Sequence, residues 1–130
     1  MELDKFDKFE TQSSLQQLLA IRDRIGELSV KFDPDGELRP KVDLLDLGDA
    51  YELIVEVPGV PPENLEVAVQ GREVIVAGLR EPFEEPESLV FSERPVGHFQ
   101  RSVTLPAEVE RERGTAHLRE GLLVIHLPKR

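Results

Sequence analysis

The chain has no cysteine, no tryptophan, one tyrosine and one methionine among its 130 residues. Without cysteine there are no disulfides, thiolate nucleophiles or thiolate metal ligands. Such usage suits a reducing compartment, and the expected location is cytoplasmic. Without tryptophan and with a single tyrosine, there is little from which to build a sugar-stacking platform. No apolar run approaches the ~20 residues of a membrane span. The leading MELDKFDKFE is charged throughout and lacks the apolar core of a secretory signal. Positive charge is scarce too: 16 Lys and Arg against 26 Asp and Glu leave a net charge of −10. That excludes a broad phosphate-binding face, so no nucleic-acid partner is expected. The same charge favours solubility through mutual repulsion.

Catalytic signatures are missing as well. The sequence contains no phosphate-cradling glycine loop, no G-x-S-x-G and no H-E-x-x-H. Asp33-Pro34-Asp35-Gly36 starts like a calcium loop, but its glycine comes too early and no glutamate closes it. Glu84, Glu85 and Glu87 sit in an acidic, proline-bearing stretch where nothing would desolvate them or raise a pKa. His117 and His126 would share one face of the last hairpin, but no third ligand is evident. His98 has no visible partner. No nucleophile stands beside a base and an orienting group. The expectation is a protein that is not an enzyme and takes neither cofactor nor metal.

What the chain does contain falls into two grammars. In residues 1–38, Leu15, Leu18, Leu19, Ile21, Ile25 and Leu28 recur mostly at three- and four-residue spacing, the pattern of an amphipathic helix. Ser13 and Ser14 precede it, with Gln16 and Gln17 three residues on, as in a capping box. Gly26 weakens the last turn, and Asp33-Pro34-Asp35-Gly36 breaks the chain. Phe6, Phe9 and Phe32 lie in the same region, three of the six phenylalanines. An arm of one short helix cannot bury these side chains alone. It docks on its own domain, on another copy or on a foreign partner, or it stays disordered.

From Arg39 to Arg130 the period is two. Tyr51, Leu53, Val55 and Val57 alternate with Glu52, Ile54 and Glu56. Leu65, Val67 and Val69 alternate with Glu66, Ala68 and Gln70, and Val74 to Ala77 returns after Gly71-Arg72. Short strands with Gly and Pro turns, and no helix between them, predict an all-β fold, an antiparallel β-sandwich. In the last hairpin Glu120-Gly121 is the turn. Arg119 then faces Leu122, Leu118 faces Leu123 and Ala116 faces Ile125. Ala116, Leu118, Leu123, Ile125 and Leu127 point inside. Residues 80–97 are too long for a hairpin loop. They carry a short strand candidate, Leu89-Val90-Phe91, which either pairs with the edge of another copy or belongs to a mobile acidic loop.

Several of these stretches together resemble the α-crystallin domain of the small heat-shock proteins, over about Pro40 to Lys129. Gly97-His98-Phe99-Gln100-Arg101 through Leu105-Pro106 is similar to the family's G-x-F-x-R-x-x-x-L-P strand. Ala116 to Leu123 is similar to A-x-x-x-N-G-V-L, with Glu120 in place of Asn. Tyr51 through Val57-Pro58-Gly59-Val60 and the closing Leu127-Pro128-Lys129 complete the set.

The resemblance implies an immunoglobulin-like α-crystallin sandwich with an N-terminal helical or disordered arm. It also implies an ATP-independent holdase that keeps partly unfolded clients from aggregating. The alternative is a co-chaperone or scaffold module with one dedicated partner. Phe6, Phe9, Leu15, Leu18, Leu19, Ile25 and Phe32 would present client-binding or assembly surface. Leu89, Val90 and Phe91 would add to a partner's Val42, Leu44 and Leu45 edge and make a homodimer. Arg101 would steady the domain or that interface by a contact to a carboxylate or carbonyl, unless it is an ordinary cross-strand charge. A groove between Leu65, Val67 and Val69 on one side and Ala116 and Leu118 on the other would receive an I-x-I motif, which relatives carry beyond the final Pro-Lys. The sequence stops at Arg130, so a dimer or small homo-oligomer is expected rather than a large shell. Gly114 stands where relatives carry a branched aliphatic, which would alter the groove, and Leu28-Ser29-Val30 is a loose I-x-I match in the arm.

Overall fold

The computed structural model describes residues 16–29, 38–83 and 86–130. Two sheets stack into a sandwich. The first has the order β1-β8-β9-β4-β3 and the second β2-β5-β6-β7. The strands are β1 Gln16–Leu19, β2 Ile21–Arg22, β3 Val42–Asp46, β4 Ala50–Glu56, β5 Leu65–Gln70, β6 Glu73–Arg80, β7 Gly97–Thr104, β8 Thr115–Arg119 and β9 Leu122–Pro128. Their pairings are antiparallel, apart from the parallel pairing of β2 with β5.

The period-two pattern accounts for the layers. Successive side chains leave a strand on opposite faces, so Tyr51, Leu53 and Val55 of β4 point inward with Leu123, Ile125 and Leu127 of β9. Val67 and Val69 of β5 and Val74 and Val76 of β6 meet them from the other sheet in one buried cluster, with Phe99 and Leu105. Each such side chain, fully buried, contributes roughly 1.5–3 kcal/mol relative to exposure. The last hairpin has the expected register: Arg119 opposite Leu122, Leu118 opposite Leu123, Ala116 opposite Ile125. Its turn takes φ 52° at Glu120 and φ 80° at Gly121. Two consecutive left-handed residues match the twist of a two-residue hairpin, and the Gly121 carbonyl also accepts a bond from the Val57 N–H.

One local expectation is corrected. The helical spacing in the arm does not produce an α-helix over residues 16–29. This stretch instead forms β1, β2 and a 3₁₀ turn at Ile25–Glu27. Intrinsic helix preference over so short a segment is marginal, and two open strand edges of the sandwich offer backbone partners that override it. Within the chain, Leu89-Val90-Phe91 is not a strand. It follows a 3₁₀ turn at Pro86–Ser88 and has no ladder partner.

Candidate functional site

A sandwich has two open seams, where the edge strands of one sheet lie beside those of the other. In this chain both are bridged. Along the first seam run the edges of β5 and β8, with the groove residues Leu65, Val67, Val69, Ala116 and Leu118 all buried beneath. The arm crosses it. β1 adds to β8, with Leu19 opposite Ala116, and β2 adds to β5, with Ile21 opposite Val67. Leu19 and Ile21 pack against the core cluster, and Ala20 between them stays exposed. The Cδ1 of Ile21 lies 3.1 Å from the position that a Cβ at Gly114 would take. The bare backbone there makes room for the isoleucine.

Beyond the crossing, the arm is held by a carboxylate. Glu66 points outward from β5 and is only 8 % exposed. Its Oε1 accepts the Ser29 N–H at 2.9 Å, and its Oε2 accepts the Ser29 hydroxyl at 2.8 Å. The Arg22 guanidinium lies 3.1 Å from Oε2. A buried carboxylate is tolerated only with donors of this kind. The sequence pattern marks Glu66 merely as an outward position of an alternating strand, so this role was not visible in it. Among the described residues the groove is bridged by Leu19-Ala20-Ile21; of the loose match Leu28-Ser29-Val30, Ser29 bonds Glu66 and Val30 lies outside the described residues.

The second seam joins β3 to β7. Arg101, at the edge strand of the second sheet, donates from Nη1 to the Pro40 carbonyl at 2.9 Å, just ahead of β3. The partner is a carbonyl, one of the two options chemistry allowed. β3 is the outermost strand of its sheet among the described residues, so one side of Val42–Asp46 is unpaired. Leu44 and Leu45 on it are exposed.

The loop following β6 carries the other apolar surface. Val90 is 93 % exposed and Phe91 76 %. Phe83, Leu89, Phe91 and Val96 line a depression of ≈ 280 Å³ together with Arg94. At the end of β6, Arg80 is buried, donates to the Pro95 carbonyl, and leaves its Nε without a partner among the described residues. Burial, and then the neighbouring Arg94, lower its pKa from the ordinary arginine value.

Of the expected client-binding residues, Leu18 is 72 % exposed, Leu19 is turned onto the core and Ile25 is half-buried in the 3₁₀ turn. Phe6, Phe9, Leu15 and Phe32 lie outside the described residues. On the outward face of the first sheet, His126 Nδ1 is 3.4 Å from Glu52 Oε2. Among the described residues, no group of three or more His, Cys, Asp or Glu could hold a metal ion, and no helix is long and apolar enough to cross a membrane.

Known proteins resemble this domain in sequence and in fold. The profile of the Hsp20/alpha crystallin family matches residues 43–130. Small heat shock protein C4 of Rickettsia felis is 33% identical over 95 residues, which cover 72% of this chain and 58% of that protein. Spore protein SP21 of Stigmatella aurantiaca is 37% identical over 93 residues, 70% of this chain and 55% of that one. The match thus spans little more than half the length of these two relatives. The solved structure of heat shock protein 16.0 from Schizosaccharomyces pombe superposes with a TM-score of 0.67 at 31% identity, covering 72% of this chain and 88% of that one. Four motifs in order, a sandwich of the same build and a family profile over most of its length agree: the chain belongs to the Hsp20/alpha crystallin family.

Proposed function

We propose that this chain is an ATP-independent chaperone, a holdase that binds partly unfolded proteins through exposed apolar surface and keeps them from aggregating. The observation that carries the reading is the exposure of Phe83, Val90, Phe91 and Leu18 on a family member with a net charge of −10. Covering one large apolar side chain of a client yields ~1.5–3 kcal/mol. A few such contacts hold a client without selecting its sequence, and the acidic surface keeps the loaded complex apart from its neighbours. Phe6, Phe9, Leu15, Leu18, Ile25 and Phe32 serve as client-binding surface in this reading, while Leu19 is packed against the core. Leu89, Val90 and Phe91 add as a strand to the unpaired side of Val42, Leu44 and Leu45 in a second copy, with Arg101 steadying that edge.

Two measurements test it. Thermally unfolding citrate synthase is followed by light scattering with increasing chaperone. Suppression at near-equal subunit ratio is expected, and its absence favours a scaffold for a dedicated partner. Analytical ultracentrifugation of Leu89→Ser/Phe91→Ser is expected to show loss of the dimer. An unchanged mass would remove the loop from the interface.

A further inference from the structure

The outward face of the first sheet is more apolar than a surface that meets only water. Strand register sets Leu18, His117, Val124, Ile54 and Asp43 in one row across β1, β8, β9, β4 and β3. Leu122, opposite Glu56, and Leu45, opposite Glu52, share that face in the rows to either side. Leu18 is 72 % exposed, Leu122 40 % and Leu45 39 %. Val124 and Ile54 are half-buried between them. Exposed apolar side chains scattered singly need no explanation, but a band that runs across a whole sheet does. Adjacent strands lie about 4.8 Å apart, so the band is roughly 19 Å long. Glu52 and Glu56 border it with carboxylates, one on either side of Ile54 along β4.

The chain itself supplies a cover. β1 is an edge strand of this sheet and begins at Gln16, opposite Arg119, at the border where Leu122 and Glu56 lie. Residues 1–15, outside the described residues, are therefore tethered at one corner of the band. A stretch of that length reaches roughly 50 Å when extended and about 22 Å as a helix, enough to cross the face either way. It carries Leu3, Phe6 and Phe9 at three-residue intervals, with Lys5 and Lys8 beside the two phenylalanines as counter-charges for Glu52 and Glu56. The tether decides the occupant: an attached segment acts at an effective concentration in the millimolar range, which a second copy must match to displace it. We propose that the outward face of β8, β9 and β4 is an intramolecular docking surface for residues 1–15, with Phe6 and Phe9 seated over Val124, Ile54 and Leu122. A client that engages these phenylalanines must first draw them off the sheet. The inference concerns where the segment rests when no client is present, so it does not depend on the holdase reading.

The test uses the full chain with the photoreactive analogue p-benzoylphenylalanine in place of Phe6. Heavy-isotope and unlabelled chains are refolded together and irradiated, and the linked peptides are located by mass spectrometry. Links to Ile54, Leu122 or Val124 within a single chain are expected. Links that join heavy to light chains, or that fall mainly on the second sheet or on residues 80–97, overturn the proposal. In Ile54→Lys/Val124→Lys the links to this face are expected to fall several-fold, and an unchanged yield overturns it. The exposed pair Leu18→Ser/Leu122→Ser makes the same comparison should the lysines unfold the sheet. A second readout uses the absence of native tryptophan. In Phe9→Trp, quenching by acrylamide is expected to be several-fold weaker than in a peptide of residues 1–15 with the same substitution. Adding Leu18→Ser/Leu122→Ser is expected to raise it toward the peptide's value. Equal quenching in chain and peptide overturns the proposal. Suppression of citrate synthase aggregation can fail while these links form, so the two readings fall separately.

Discussion

Phe99 occupies the space that a side chain at position 78 would need. Gly78 and Phe99 are direct cross-strand partners on β6 and β7. A Cβ at position 78 would overlap Cζ and Cε2 of the ring and lie 3.0 Å from the Asn64 backbone oxygen. The ring, 1% exposed, has no room to retreat. Gly78→Ala is therefore expected to destabilise the domain by roughly 1–3 kcal/mol through overpacking, read from the urea midpoint. Gly78→Ala/Phe99→Leu should recover part of the loss, and a midpoint unaffected by Gly78→Ala would refute this account.

Arg101 secures the second seam. Removing the guanidinium in Arg101→Ala leaves the Pro40 carbonyl without its donor. The bond is charge-assisted but partly solvated, so the expected loss is about 1 kcal/mol. It should be concentrated locally, as faster amide exchange in Val42–Asp46 relative to β9. Uniform acceleration over both sheets would assign Arg101 to the whole fold instead.

The ends of the sandwich carry a pH-dependent pair. Lys129 Nζ lies 2.8 Å from Asp46 Oδ1 and 4.7 Å from the centre of the Tyr51 ring. The Lys129 hydrogen bond, and then the Gly48 N–H, hold Asp46 below its ordinary pKa of 3.8. The hydrogen bond to Asp46 raises Lys129 above 10.5. A depressed carboxylate stabilises above its unfolded pKa, and the contribution disappears as pH falls through the folded value. For the raised lysine the contribution is present below the unfolded pKa and disappears as pH rises through the folded one. In Asp46→Asn the thermal midpoint is thus expected to sit slightly below that of the unchanged protein near neutrality and to converge with it in acid. A gap that persists to the lowest pH would show that the substitution acts by some other means.

Salt tests the hold of Glu66 on the arm. Raising ionic strength weakens the partly exposed Arg22–Glu66 pair, so amide exchange at Ile21 and Ser29 is expected to quicken. In Glu66→Gln it should be fast already and respond little to salt. An equal salt response in both proteins would mean that the carboxylate does not hold the arm.

The sandwich was legible because alternation leaves little freedom once one face must be buried: a one-residue slip would turn Leu53, Val55, Leu123 and Ile125 outward. The turn at Glu120-Gly121 fixed the last hairpin for the same reason. The arm misled because Leu15, Leu18, Leu19 and Ile25 fit a helical period, while the two edges that capture residues 16–22 come from β5 and β8, far away in the chain. Glu66 was hidden because its burial is caused by the arm that it holds. Arg101 was singled out by its motif, yet only the fold could supply its partner, since Pro40 lies 61 positions away.

The arm's crossing also fixes an order of events during synthesis. Residues 16–22 leave the ribosome before either edge on which they settle exists, and the second of those edges is complete only at Arg119. Leu19 and Ile21 therefore travel uncovered through most of translation, while the domain behind them is still being made. Residues 16–22, made early, are thus among the last to find their place, and a growing polypeptide of this kind is for a time a candidate for the very protection it is proposed to give.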